Sequence, residues 1–249
     1  ATPLLSALFK DEPTIEAMNL VGLDIHAVGN HEFDYGIKHL RRLKAGGCKT
    51  DEKSGQPDCG GRPPYQGAKF EFLAANVIEN ATGKPLFPAY TVKVFDGIKI
   101  GFIGLTTLST PTIVRPGGTV GLTFKEEVET INKLVPELKA QGIESFVVLM
   151  HEGGIQSGSI NQCVDFQGRA REIAENVDPS VQVVITAHTH RYHICEIGNK
   201  LVTSAGSNGT LITDIDLVLD RATGKIISKT AQNLVVDPKG PKDAALTAL

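Results

Sequence analysis

Three short histidine motifs constrain this chain more than anything else in it: Gly29-Asn30-His31-Glu32-Phe33-Asp34, His151-Glu152-Gly153-Gly154 and Ala187-His188-Thr189-His190. Four of the seven histidines sit in them. Each motif follows an apolar run of strand character, Asp24 to Val28, Ser145 to Met150 and Val181 to Thr186. In an α/β sheet the carboxyl ends of neighbouring parallel strands open on one crevice, so motifs distant in sequence are expected to meet there. Imidazoles and an asparagine amide, with no thiolate among them, form a nitrogen and oxygen donor set suited to zinc, manganese, iron or magnesium. The pattern implies a metal-dependent hydrolase.

Composition narrows the partners. At 249 residues and 41% hydrophobic content the chain can bury a real core, as one large domain or two small ones. A net charge of −3, spread along the chain, gives no electrostatic footprint for a nucleic-acid polymer or an anionic membrane, so a nucleotide-like substrate would be small. No apolar run approaches the roughly 18 residues that span a bilayer. Ala1 opens no basic and apolar secretory leader, so a mature, processed or cut chain is expected.

Cys48 and Cys59 bracket an irregular stretch rich in Gly, Lys, Asp and Pro, while Cys163 follows the second motif and Cys195 the third. Of the three ways to pair four cysteines, Cys48–Cys59 with Cys163–Cys195 is the economical one, because the crevice would bring the second pair together. Two disulfides would imply an oxidising compartment; the alternative is four buried free thiols. The absence of a CxxC pair argues against a zinc cluster.

The elements read in order. Asp11-Glu12-Pro13 predicts a helix start with a capping carboxylate, Gly36 to Ala45 a second helix, and strands near 70–75, 90–95 and 98–105, the last two joined by the hairpin signal Asp96-Gly97. Phe124 to Gln141 reads as an amphipathic helix despite Pro136. Strand 145–150, a helix around 168–176 and strand 181–186 form a βαβ unit, and strands near 192–197, 200–205, 210–219 and 225–236 an antiparallel meander. Residues 1–236 are expected to form the catalytic domain, and 237–249 a linker and the start of a helix leading to a further domain.

The first motif places His31 and Asp34 three residues apart, close enough for the carboxylate to orient the imidazole and favour its protonated form. Gly29 is expected to turn the chain sharply off its strand and Gly153-Gly154 to leave room for a substrate. His188 and His190, two apart in extended chain, would point to the same side. In combination, Asn30 to Gly36, a strand-ending His151, the His188-x-His190 pair and the run from Ala187 to Gly206 resemble the calcineurin-like metallophosphoesterases, in their 5′-nucleotidase branch. The resemblance covers about Leu4 to Val236.

That resemblance implies an α/β fold, a mixed-sheet sandwich in αββα layers, and an extracytoplasmic (periplasmic, secreted or cell-surface) hydrolase of nucleotides, cyclic nucleotides or nucleotide sugars. Carried over residue by residue, Asn30, His151 and His188 would bind one divalent metal and His190 a second, with His31 and Asp34 as the catalytic dyad beside an in-line attack by metal-bound hydroxide. The family's opening Asp-x-His strand end and metal-bridging Gly-Asp pair are not found in place. Asp24-Ile25-His26 imitates the first, but Asp24 lies roughly 20 Å of strand before Asn30, so Asp24 and His26 read as structural. Strands carrying those motifs are therefore expected ahead of Ala1, and four neutral ligands alone are not expected to hold a stable metal pair. Two other readings stay open: a non-catalytic metal-binding or structural fragment, and thiosulfate-ester hydrolysis on the same scaffold. Arg191, Tyr192, Asn208 and Asn76 are lesser substrate candidates, each equally explained by loop polarity.

Overall fold

The structure is a computed structural model and describes residues 4–50, 54, 56–59 and 63–249. The opening residues 1–3 and the centre of the cysteine-bracketed insertion, both addressed by the sequence reading, lie outside the described residues.

Six strands make the main sheet, in the order Tyr192–Ile197, Lys200–Ala205, Val181–Thr186, Ser145–His151, Ile98–Thr106, Tyr90–Phe95. The four inner strands run parallel and both edge strands antiparallel to their neighbours. Parallel neighbours need helical crossovers, supplied by Glu127–Lys139 and Arg169–Asn176. Strand alternation sorts the side chains onto two faces. Ile103, Leu105, Phe146, Val148, Met150 and Val184 pack on Ile131, Val135, Leu138 and Ile173 of those helices. Ile100, Val147 and Val183 face the other way, against Ile226 and the partly buried Ile215, Leu217 and Leu219 of the hairpin formed by Leu211–Leu219 and Ile226–Val235.

A second, two-stranded parallel sheet pairs Ile25–Ala27 with Glu71–Leu73 and carries its own helices, Glu12–Val21 and Gly36–Ala45, over a core of Ile15, Val28, Phe33, Leu40, Leu43, Phe70 and Phe72. It is stitched to the main sheet where Ala75 N donates to Gly104 O at 2.7 Å and Thr106 Oγ1 to Val28 O at 2.6 Å. Helices lie outside two sheets, so the layers are αββα. Each fully buried Leu, Ile or Phe contributes about 1.5–3 kcal/mol, and truncating Ile131 to Ala would cost about 2–5 kcal/mol.

Four expectations are corrected. The strand ahead of the first motif belongs to the second sheet, not beside the other two motif strands. Asp11 sits at φ 67° and does not cap its helix; its carboxylate accepts from Ser6 Oγ. Leu122–Phe124 is a strand paired with Val77–Glu79, so the helix begins only at Glu127, where the Glu126 side chain caps Glu129 N. The final strands are no single meander. Lys200–Ala205 inserts parallel beside Val181–Thr186, because its five buried residues in succession need cover on both faces, whereas the alternating Leu211–Leu219 can leave one side to solvent.

Candidate metal centre

Register sets the depth of each candidate residue. Thr106 pairs with His151 and Thr186 with Met150, so three parallel strands end level and their loops start side by side. Ala187 N then donates to Glu152 O at 3.0 Å, and Thr189 Oγ1 to Gly154 O at 2.9 Å, locking the second motif to the third. The first motif enters from the second sheet as a short 3-10 turn, Asn30–Phe33, positioned by the Val28–Thr106 contact.

This brings three predicted ligands together. His151 Nε2 lies 2.7 Å from Asn30 Oδ1 and 3.4 Å from His188 Nδ1, and the two imidazole rings stand 5.1 Å apart. Asn30 is buried. An amide oxygen can only accept, so His151 holds its proton on Nε2 and hands it to Asn30, with a second ring nitrogen facing the same point. Ligand atoms sharing one zinc-like ion at about 2.0–2.2 Å stand roughly 3–3.5 Å from each other. The 3.4 Å between the two ring nitrogens matches that spacing, and the 2.7 Å Asn30–His151 separation would have to open slightly for the three neutral groups to share one cation.

Gly29 makes the approach possible. Its backbone is extended, at φ −94° and ψ 178°, so the expected sharp turn is not its role. A Cβ there would stand 2.7 Å from the His151 ring and 2.9 Å from Glu32 Oε2. Gly153 works likewise: a Cβ would collide with Ala187 O and Thr189, so the two glycines pack loop on loop instead of opening substrate space, Gly154 against Phe166.

Burial pushes His151 down to about 4, opposed by the Glu32 charge and reinforced by His188, His26 and His31. A ring held neutral is the form that ligates metal. Burial works to raise Glu32, but its contact with His26, 3.2 Å from Nε2 to Oε1, and the charges of His26 and His151 hold it down to about 2. Glu32 is thus a negative group acting on His151, and the sequence reading passed over it although it adjoins His31.

His31 Nδ1 meets Asp34 Oδ2 at 2.8 Å on the exposed rim. Sequence placed His188 and His190 on extended chain; instead both adopt left-handed backbone, at φ 64° and φ 56°, around a tight turn closed by Thr189 N to Ala187 O at 2.7 Å. His190 is consequently exposed and forms no hydrogen bond among the described residues. Among the described residues no three His, Cys, Asp or Glu side chains gather as a metal cluster. Asn76 is fully buried and clamps Thr106 and Lys125 backbone, so it is no substrate contact. His26 packs edge-on against Phe72 and Phe70. Cys48 is bonded to Cys59 and Cys163 to Cys195.

Comparison with known proteins follows this geometry. No family model matches the chain. It is 34% identical over 233 residues to endonuclease YhcR of Bacillus subtilis, covering 94% of this chain and 18% of that protein. It is 33% identical over 148 residues to a 5′-nucleotidase of Vibrio cholerae, covering 59% of this chain and 23% of that protein. In structure it matches the 5′-nucleotidase precursor of Thermus thermophilus with a TM-score of 0.74 at 24% identity, over 98% of this chain and 45% of that one. It also matches the calcineurin-like phosphoesterase YfkN of Bacillus subtilis, TM-score 0.70 at 20% identity, over 95% of this chain and 70% of that one. The chain spans about a fifth of the length of those two curated relatives.

Proposed function

We propose that this chain belongs to the 5′-nucleotidase branch of the calcineurin-like phosphoesterases, as its similarity to a 5′-nucleotidase and its fold support, and that it is the catalytic part of a hydrolase that cleaves phosphoester bonds of nucleotides. The observation that carries the reading is the meeting of Asn30, His151 and His188 beside the His31–Asp34 pair. Asn30, His151 and His188 would hold one divalent ion and His190 a second; such ions, when bound, draw charge off phosphoryl oxygens and activate water.

The chain's own residues do the rest. Asp34 accepts from His31 Nδ1, which fixes the ring and leaves Nε2 free to give a proton to the departing oxygen. His31 is half exposed on the rim, where a leaving nucleoside could reach it. The close packing at Gly29 and Gly153 holds the three motif turns against one another. Four neutral ligands leave two cations' mutual repulsion uncompensated, so a bridging carboxylate is part of the proposal. Two disulfides support an extracytoplasmic setting.

The relative named as an endonuclease makes a polymer substrate the competing choice. Net charge −3 favours the small one. Phosphate release from nucleoside monophosphates, set against cleavage of a single-stranded oligonucleotide and of a thiosulfate ester by the same protein, tests this. Nucleotide turnover at least ten times faster than either is expected; preference for the oligonucleotide or the thiosulfate ester would displace the proposal, and inactivity on all three would favour a non-catalytic module.

A further inference from the structure

Glu152 follows the strand-ending His151, and its side chain stands at the start of a closed circuit of hydrogen bonds. Thr107 Oγ1 donates to Glu152 Oε2 at 2.7 Å. The next residue, Leu108, donates its N–H to Glu127 Oε1 at 2.8 Å. Glu127 is 1% exposed, and its other oxygen accepts from Arg169 at 3.1 Å. The residue after Arg169, Ala170, donates its N–H to Gly153 O at 3.0 Å, and Gly153 is the neighbour of Glu152, whose Oε1 accepts from Gly153 N at 3.0 Å. The ring joins the ends of two parallel strands, the start of the Glu127–Lys139 helix and the start of the Arg169–Asn176 helix.

One bond leaves this ring for the third motif, Ala187 N to Glu152 O, and a second runs from Thr189 Oγ1 to O of the adjoining Gly154, so His188 is tethered to the same turn as His151. A buried network with its members satisfied specifies one arrangement, and a half-satisfied one is costly. Thr107 and Glu127 are both almost fully buried, so the arrangement has few alternatives. Groups one step behind metal ligands set ligand orientation, and their loss typically lowers metal affinity about 10–100-fold.

We propose that Glu152 is a positioning residue that, held by the Thr107 hydroxyl, sets the spacing between His151 and His188. This rests on the reading of those two histidines as ligands of one ion, but its test does not. In the metal-free chain labelled with ¹⁵N-histidine, the through-space contact between the His151 and His188 rings is read by NMR, with buried His193 and partly buried His39 as monitors of folding. Thr107→Val and Glu152→Ala are expected to weaken that contact several-fold while the His193 and His39 signals hold, and Thr107→Ser, which keeps the hydroxyl, is expected to retain it. An unchanged contact in both Thr107→Val and Glu152→Ala, or a Thr107→Ser variant as disturbed as Thr107→Val, overturns the proposal. Adding cobalt(II) to the wild type separates the two readings. Failure of the cobalt ion to perturb His151 and His188 would sink the metal assignment, while the variant series still decides the role of Glu152.

Discussion

Asn30, on the 3-10 turn that follows a strand of the second sheet, and His151, ending a strand of the main sheet, stand 121 positions apart in sequence, yet the amide oxygen of one lies 2.7 Å from Nε2 of the other. The two sheets are aligned by contacts outside the site, chiefly Thr106 to Val28 and Ala75 to Gly104. The meeting of these residues is therefore a property of sheet packing rather than of any one loop, and its weak points are where backbone approaches ring.

Gly29 is such a point. Gly29→Ala adds a Cβ 2.7 Å from His151, too close to tolerate, so the ring must swing out of line with Asn30. Metal affinity is expected to fall by about 10–100-fold, the range for lost ligand orientation, while the secondary structure is kept. Isothermal titration with zinc reads it; wild-type affinity in Gly29→Ala would show that the ring does not need this gap.

The His31–Asp34 pair should separate chemistry from metal binding. His31→Asn is expected to lower kcat by roughly 10²–10⁴ with metal content unchanged, and Asp34→Asn to lower it less, since the ring remains but loses its orienting charge. Steady-state kinetics on a nucleoside monophosphate, with metal analysis of the same samples, checks both. A His31→Asn variant with wild-type turnover would remove the dyad from the account.

His193 is fully buried, with Nε2 3.1 Å from Thr186 Oγ1, Nδ1 without a hydrogen-bond partner among the described residues, and its ring against Phe166. Burial pushes it from the ordinary 6.5 down to about 4. The unfolded chain therefore binds a proton that the folded chain refuses. The neutral form's advantage is complete above pH 6.5 and is lost as pH falls from there towards 4, a loss on the order of 3 kcal/mol. Urea unfolding of wild type and His193→Gln across that window is expected to show a steeper decline in the wild type; parallel curves would mean the ring is accessible to protons in the folded state.

Cys163–Cys195 closes a loop with a sequence separation of 32 and ties the segment after His151 to the strand after His190. Replacing both with Ser is expected to cost about 3–4 kcal/mol on the chain-entropy account, and to loosen the third motif as well. Thermal melts of the double variant measure this. A loss below about 1 kcal/mol would mean that the loop is already held by its hydrogen bonds.

How much of this was legible in the sequence follows from which interactions are local. The His31–Asp34 contact spans three residues and the strand runs announce themselves by apolar pattern, so both could be read directly. The αββα layering came through the resemblance rather than through periodicity, which gave no hint that Ile25–Ala27 sits in a separate sheet. Gly29 was noticed for a sharp turn and Gly153 for substrate room when their role is close approach, since what a Cβ would strike lies mostly far away in sequence. The left-handed backbone of His188 and His190 was missed for a similar reason: neither Asn nor Gly marks that turn. Glu32 and Glu152 were visible inside the motifs, but their partners His26 and Thr107 carry no motif of their own.

The central claim is that Asn30, His151 and His188 ligate an ion on which phosphoester hydrolysis depends. The most direct measurement is phosphate release from a nucleoside monophosphate by the protein before and after chelation, after restoration with zinc or manganese, and in His151→Ala. The account predicts activity abolished by the chelator, restored by metal, and lowered at least 100-fold in His151→Ala even at saturating metal, in keeping with the loss of a ligand. Hydrolysis indifferent to the chelator, or a His151→Ala variant as active as wild type, would contradict it.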